Sequence, residues 1–207
     1  MGNRRYDPEA TRQAILEAAK QVFVEQGVAD TPLSEVAKAA GVTKSLIHHH
    51  FGSKEELWNE VKRTNFKRYF GPILETIQGD QNNLDALRAV IEHMFMFLRD
   101  NPDVARMMGW MALEKDEINV ELQDQVCTQG LDRIARGQAE GALRSDIHPA
   151  SIMSTFIILT GHWWHFRHIT ERWKDMKDAP AVPQGDALDM QFFEDMMKIF
   201  MEGVSPR

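Results

Sequence analysis

The sequence predicts an all-α protein: an N-terminal three-helix unit of helix-turn-helix type, followed by a larger helical body. Three observations carry this. Strand-like alternation is nearly absent, apolar residues recur at helical spacing along almost the whole chain, and cap residues followed by proline mark helix starts.

The elements follow in order. Asp7-Pro8 is an N-cap with proline at the first helical position. Behind it, Ile15, Ala18, Ala19, Val22 and Phe23 fall on one face, and Gly27 ends the helix. Thr31-Pro32 repeats the cap-then-proline signal. Leu33, Val36, Ala37 and Ala40 give a short second face before Gly41 breaks it. Thr43 caps a third helix, and Ser53 with Glu56 forms a capping box for a fourth. Two short helices joined by a glycine turn at Gly41-Val42 make the helix-turn-helix pattern. Longer helices are predicted near 53–78 (strained at Gly71-Pro72), 83–99, 101–114, 117–140, 149–173 and 186–202. Residues 174–187, with Pro180, Pro183 and Gly185, read as an exposed connector. The predicted domains are 1–52 and 53–207, with no Pro/Gly/Ser linker between them.

Apolar residues make up 43% of the 207-residue chain and charged residues 27%, a globular composition. The net charge of −7 argues against a protein that coats nucleic acid indiscriminately. The charge is uneven. Over residues 1–50, Arg4, Arg5, Arg12, Lys20, Lys38 and Lys44 balance Asp7, Glu9, Glu17, Glu25, Asp30 and Glu35. That part is least repelled by phosphate. A single cysteine, Cys127, excludes an intramolecular disulfide and fits a reducing compartment. The first ten residues lack an apolar signal region, and the longest apolar run is far short of the ~20 residues a bilayer needs. The expectation is a cytoplasmic protein without a membrane partner.

The stretch "GVTKSLIHHHF" (41–51) invites a metal reading. Successive residues on a helix are ~100° apart, so His48, His49 and His50 fan over ~200° and share no face. The fan suits a helix in a DNA major groove, with base edges in front and phosphates on both flanks. Thr43, Lys44 and Ser45 stand at the helix N-terminus, where free N–H groups favour phosphate. Thr31 and Ser34, at the start of the second helix, reach phosphate or act as caps.

"TRQAILEAAKQVFVEQG", "LSEVAKAAGVTKSLIHHHFGSKEEL" and the helical remainder resemble the TetR family of bacterial transcriptional regulators, with the specific match over about residues 11–60. The resemblance implies a homodimer that binds a palindromic double-stranded DNA operator, and a C-terminal domain that binds a small molecule and then releases the DNA. It implies that Thr43, Lys44 and Ser45 read bases and phosphates, and that His48, His49 and His50 follow at contact positions. His48 stands where the family usually has tyrosine. Phe51 matches a core aromatic, and Lys54 matches a lysine that contacts the DNA backbone.

Residues 93–111, "HMFMFLRDNPDVARMMGWM", are rich in methionine and aromatics. Such a stripe is core or an adaptable apolar pocket. The expected ligand-binding set is Phe66, Phe70, His93, Met94, Phe97, Met107, Trp110, Met111 and Trp163, with His93 and Arg106 as candidate polar anchors. The last two long helices resemble the family's dimer bundle. Ile152, Phe156 and Leu159, continuing to Trp163, form one seam, and Leu188, Phe192, Met196 and Ile199 the second. The predicted function is therefore a ligand-released repressor, with no cofactor or metal and no catalytic residue. Two alternatives stand beside it: control by a protein partner, and a helical metal-dependent enzyme using His162 and His165 with Glu171. Against the enzyme, no nucleophile elbow, phosphate loop or HExxH pattern occurs.

Overall fold

The computed structural model describes residues 7–116, 121–177 and 180–206. Arg4 and Arg5, counted in the charge balance above, and the start of the helix expected from 117 lie outside the described residues. Among the described residues there are only helices, turns and connecting segments. They run α1 (Pro8–Gln26), α2 (Leu33–Ala40), α3 (Lys44–Phe51), α4 (Lys54–Gln78), α5 (Asn83–Asp100), α6 (Pro102–Glu114), α7 (Glu121–Ala139), α8 (Pro149–Arg172) and α9 (Asp186–Val204), with a short 3-10 turn after α8. The all-α expectation holds.

Local chemistry explains the boundaries. Asp7 accepts from the N–H groups of Glu9 and Ala10 and starts α1. Gly41 takes a left-handed conformation (φ 67°, ψ 29°), and the N–H of Val42 returns to the Ala37 carbonyl, which closes α2. Thr43 Oγ1 accepts from the Leu46 N–H, and Ser53 Oγ from the Glu56 N–H, as the capping signals predict. Thr31 behaves differently. Pro32, not Thr31, is the N-cap of α2. The Thr31 side chain is fully buried, and its hydroxyl donates to the Gly27 carbonyl at 2.6 Å, tying the α1–α2 turn. The strain expected at Gly71-Pro72 does not interrupt α4, which runs through Pro72.

Two compact units emerge. The first takes residues 7–67 and 106–116, and the second 68–105, 121–177 and 180–206. Compactness therefore divides the chain inside α4 rather than at the expected 52/53 boundary. The reason is visible in the first unit's core: Leu57, Trp58 and Val61 of α4 are as buried as Ile15, Phe23 and Val36. The rings of Phe23 and Trp58 meet edge to face at 5.7 Å. The end of α6 belongs to this unit as well. Trp110 Nε1 donates to the Val24 carbonyl at 3.0 Å and Arg106 to the Glu25 carbonyl at 3.2 Å, so both satisfy the last carbonyls of α1. Asp116 accepts from Trp58 Nε1 at 2.6 Å and from the buried Lys62 ammonium at 2.7 Å.

In the second unit α8 is the hub, packing on α5, α7 and α9. Phe95, Trp163 and Leu188 form a buried cluster, with Phe192 stacked on Trp163 at 3.9 Å. Asp189 lies beside it, only 1% exposed. Burial raises its carboxyl above the usual range, against the Trp163 N–H (2.8 Å) and Arg167 (3.1 Å), which lower it. The Arg133 guanidinium collects the carbonyls of Thr76, Ile77, Gly79 and Gln81 and so finishes α4.

Phe51 is buried, and the Arg12 guanidinium lies over its ring at 5.2 Å. Phe51→Ala is expected to cost about 3–5 kcal/mol and to unfold the first unit ahead of the second, read by chemical denaturation followed through tryptophan fluorescence. An unchanged unfolding midpoint would contradict the core assignment.

Candidate nucleic-acid interface

The site is built on α3. Eight residues make too short a helix to persist alone, so tertiary contact must hold it. Ile47 and Phe51, one turn apart, are buried. Ser45 and His49 lie on the opposite side, and with Thr43, Lys44 and His48 they are exposed, while His50 is half-buried with its ring 5.6 Å from that of His49. At its start the Leu46 N–H is held by Thr43, and the N–H groups of Lys44 and Ser45 precede the first intrahelical bond. Ser34 is exposed at the start of α2.

His48 has a defined pose. The Gly52 N–H donates to the His48 carbonyl at 2.9 Å, and the His48 ring, through Nδ1, lies 2.7 Å from the Gly52 carbonyl. A carbonyl can only accept, so Nδ1 carries the proton and the tautomer is fixed. Gly52 permits the closure with φ 77°.

Lys54 is placed differently from the expectation. Its ammonium donates to the carbonyls of Val28, Ala29 and Thr31 at 2.9, 3.0 and 3.3 Å. The side chain is turned onto the α1–α2 connection, where three carbonyls outcompete a solvent pose. With Thr31 buried and Lys54 occupied, both expected phosphate contacts become braces of the unit's frame. Glu55 next to Lys54 keeps its carboxyl below the usual range, through its own backbone N–H first and Ser53 second.

The expected ligand set is not brought together in one place. Phe66, Met107 and Met111 are buried in the first unit, and Trp110 there is committed to Val24. In the second unit, Phe70, His93 and Phe97 gather around Tyr69, with ring centroids 5.0, 6.3 and 5.3 Å from it, and Met94 is buried on the same helix. His93 Nε2 lies 3.0 Å from the Tyr69 carbonyl and must donate. Burial pushes the Tyr69 phenol well above its ordinary range. Trp163 belongs to the Phe95–Leu188 cluster instead, and Arg106 is spent on α1. Two grooves of the second unit, about 390 and 1330 Å³, are lined by none of the nine expected residues.

The expected dimer seam also turns inward. Ile152, Phe156, Leu188 and Met196 are buried within a single chain, and Leu159 and Phe192 are partly buried. Ile199, 73% exposed, is the exception. The large apolar side chains that reach solvent on these helices are Ile157, Ile158, Phe166, Ile169 and Trp173. The periodicity therefore marks the face that a single chain already buries. Among the described residues no three His, Cys, Asp or Glu side chains converge on a common point, and His162 and His165 have ring centroids 6.1 Å apart. Cys127 is half-buried, and burial, then Asp124, raises its thiol, which disfavours thiolate chemistry. No helix among the described residues is long and apolar enough to cross a membrane.

A short helix presented by a glycine turn, on a helical body, defines a helix-turn-helix DNA-binding regulator. Residues 15–61 match the family model described as "Bacterial regulatory proteins, tetR family", and residues 87–184 the one described as "Tetracyclin repressor-like, C-terminal domain". The chain belongs to the TetR family and is a transcriptional regulator, not an enzyme. It is similar to the HTH-type transcriptional regulator RutR of Escherichia coli K12, at 26% identity over 100% of this chain and 96% of that one. Its fold is similar to the ketosteroid transcriptional regulator KstR2 of Mycobacterium tuberculosis (TM-score 0.72, 20% identity, 95% of each chain). It is also similar to AibR, solved with isovaleryl coenzyme A and operator DNA (TM-score 0.68, 18% identity, 91% of this chain and 97% of that chain).

Lys54→Ala is expected to lower stability by about 1–3 kcal/mol, because three carbonyls lose their donor. The salt dependence of DNA binding is expected to stay unchanged. A shallower salt slope with unchanged stability would return Lys54 to the DNA.

Proposed function

We propose that this regulator is a homodimeric repressor that binds a palindromic operator and leaves it when an apolar small molecule occupies the second unit. The observation that carries the reading is that α3 leaves Lys44, Ser45, His48 and His49 exposed while Ile47 and Phe51 anchor it to the core. In this reading Thr43 and Ser45 enter the major groove, while Lys44 at the helix start and Ser34, His48, His49 and His50 reach the phosphates. A two-fold dimer sets two such helices about 34–36 Å apart, one turn of DNA.

The exposed apolar face supports the second copy. Ile158, Phe166, Ile169 and Trp173 fall at i, i+8, i+11 and i+15 along one side of α8 and the turn after it, and Ile199 adds α9. Such a row exposed to water marks an association surface. For the ligand, the ring group around Tyr69 with Phe70, His93 and Phe97 offers apolar walls and one imidazole. Isovaleryl coenzyme A in AibR supports an acyl-type ligand as the first class to test. Release requires only that the ligand prefer the conformation with the wrong spacing; a tenfold weakening of DNA binding takes ~1.4 kcal/mol of coupling.

Selection of bound duplexes from a random pool is expected to return a two-fold symmetric consensus, and an asymmetric consensus would oppose the dimer reading. Lys44→Ala is expected to weaken all duplexes alike and to reduce the salt slope by about one per recognition helix. Ile158→Glu with Phe166→Glu is expected to give a monomer in sedimentation, with the helical circular-dichroism signal intact.

A further inference from the structure

We propose that His48 is a proton-linked phosphate contact: it grips DNA only as imidazolium, so each recognition helix takes up a proton when the protein binds. The inference rests on the DNA-binding reading of α3 and adds to it.

The argument begins with the tautomer. Nδ1 is committed as a donor to the Gly52 carbonyl at 2.7 Å, while the Gly52 N–H holds the His48 carbonyl at 2.9 Å. This reciprocal closure sets the ring. In the neutral imidazole the remaining nitrogen, Nε2, is then a bare lone pair. Phosphate oxygens at neutral pH only accept, so a neutral His48 meets phosphate acceptor to acceptor. Protonation converts Nε2 into a charged donor and removes the conflict. His48 is in the last turn of α3. It also lies past the N-terminal residues that meet base edges, on the flank of the helix where the backbone runs.

The charged groups on the elements around it are few. Lys44 precedes it by one turn on α3, and Glu35 and Lys38 lie on α2. Arg12 of α1 is paired with Glu60 of α4 at 2.5 Å, Lys54 holds its three carbonyls, and Glu55 stays anionic. His49 and His50 are the neighbouring imidazoles and serve as controls.

The test measures binding to a mixed-sequence duplex and to the selected consensus duplex by fluorescence anisotropy at pH 6 and pH 8, at constant ionic strength. The wild-type protein is expected to bind tighter at pH 6 than at pH 8, by about tenfold per recognition helix. His48→Gln and His48→Tyr supply a donor that does not titrate, and both are expected to flatten the dependence, while His49→Asn preserves it. The proposal is overturned if His48→Gln keeps the wild-type pH dependence. It is also overturned if wild-type binding is flat with pH while Lys44→Ala still weakens it, which leaves the DNA-binding reading standing. A flat profile in which Lys44→Ala also changes nothing overturns both. A flat profile with altered sequence preference in His48→Gln would place Nε2 on a base donor instead, and likewise overturns the phosphate contact.

Discussion

The functional surface depends on two side chains. Ile47 and Phe51 are one turn apart on a helix of eight residues, and both are buried. Without them α3 has too few internal hydrogen bonds to persist. Because they occupy one side, the direction of every other α3 side chain follows from ~100° steps around the axis. The turns at each end make the same demand from the backbone. Gly41 at φ 67° delivers the chain into Thr43, and Gly52 at φ 77° takes it away after Phe51. A Cβ at either glycine would meet no atom within 4 Å, so the requirement there is conformational and not one of space.

The frame around that helix shows what was legible in the sequence and what was not. Helix order, the glycine turn and the Thr43 and Ser53 caps all follow from local rules, because the signals lie within a few residues of their effect. Thr31 and Lys54 do not follow. A threonine before proline reads as a cap, and the family resemblance implies a DNA-backbone contact for Lys54. In the structure each turns back on the α1–α2 connection, whose carbonyls lie 23 to 26 residues before Lys54. Polar partners at that separation leave no periodic trace. Asp116 with Trp58 and Lys62 is the same kind of case, spanning 58 and 54 residues.

In the second unit the limit has another cause. A helix packed on several neighbours has more than one apolar face, so periodicity names the faces without naming their partners. α8 lies against α5, α7 and α9, and the row from Ile152 through Phe156 to Trp163 serves that packing. The row offset from it, through Ile158 and Phe166, is the one left in water. The same ambiguity scattered the expected ligand set. Methionine and aromatic residues mark buried surface, but Met107 and Met111 fill the first unit's core while Trp163 closes a cluster around Asp189. Neither assignment could be separated from a pocket wall by spacing alone.

Charge explains why the individual contacts of α3 matter so much here. The chain carries −7 overall, and its N-terminal fifty residues are only balanced. Long-range attraction to a polyanion is therefore weak, and sequence-independent binding, which rests on released counterions, has few cations to draw on. Lys54 and Arg12 are among the nearest basic groups, yet one is bound to carbonyls and the other to Glu60 and the Phe51 ring. That leaves Lys44 as the principal permanent charge on α3, followed by three imidazoles on the same helix. Whatever positive charge this helix presents is therefore local to it, on a chain whose overall charge is negative.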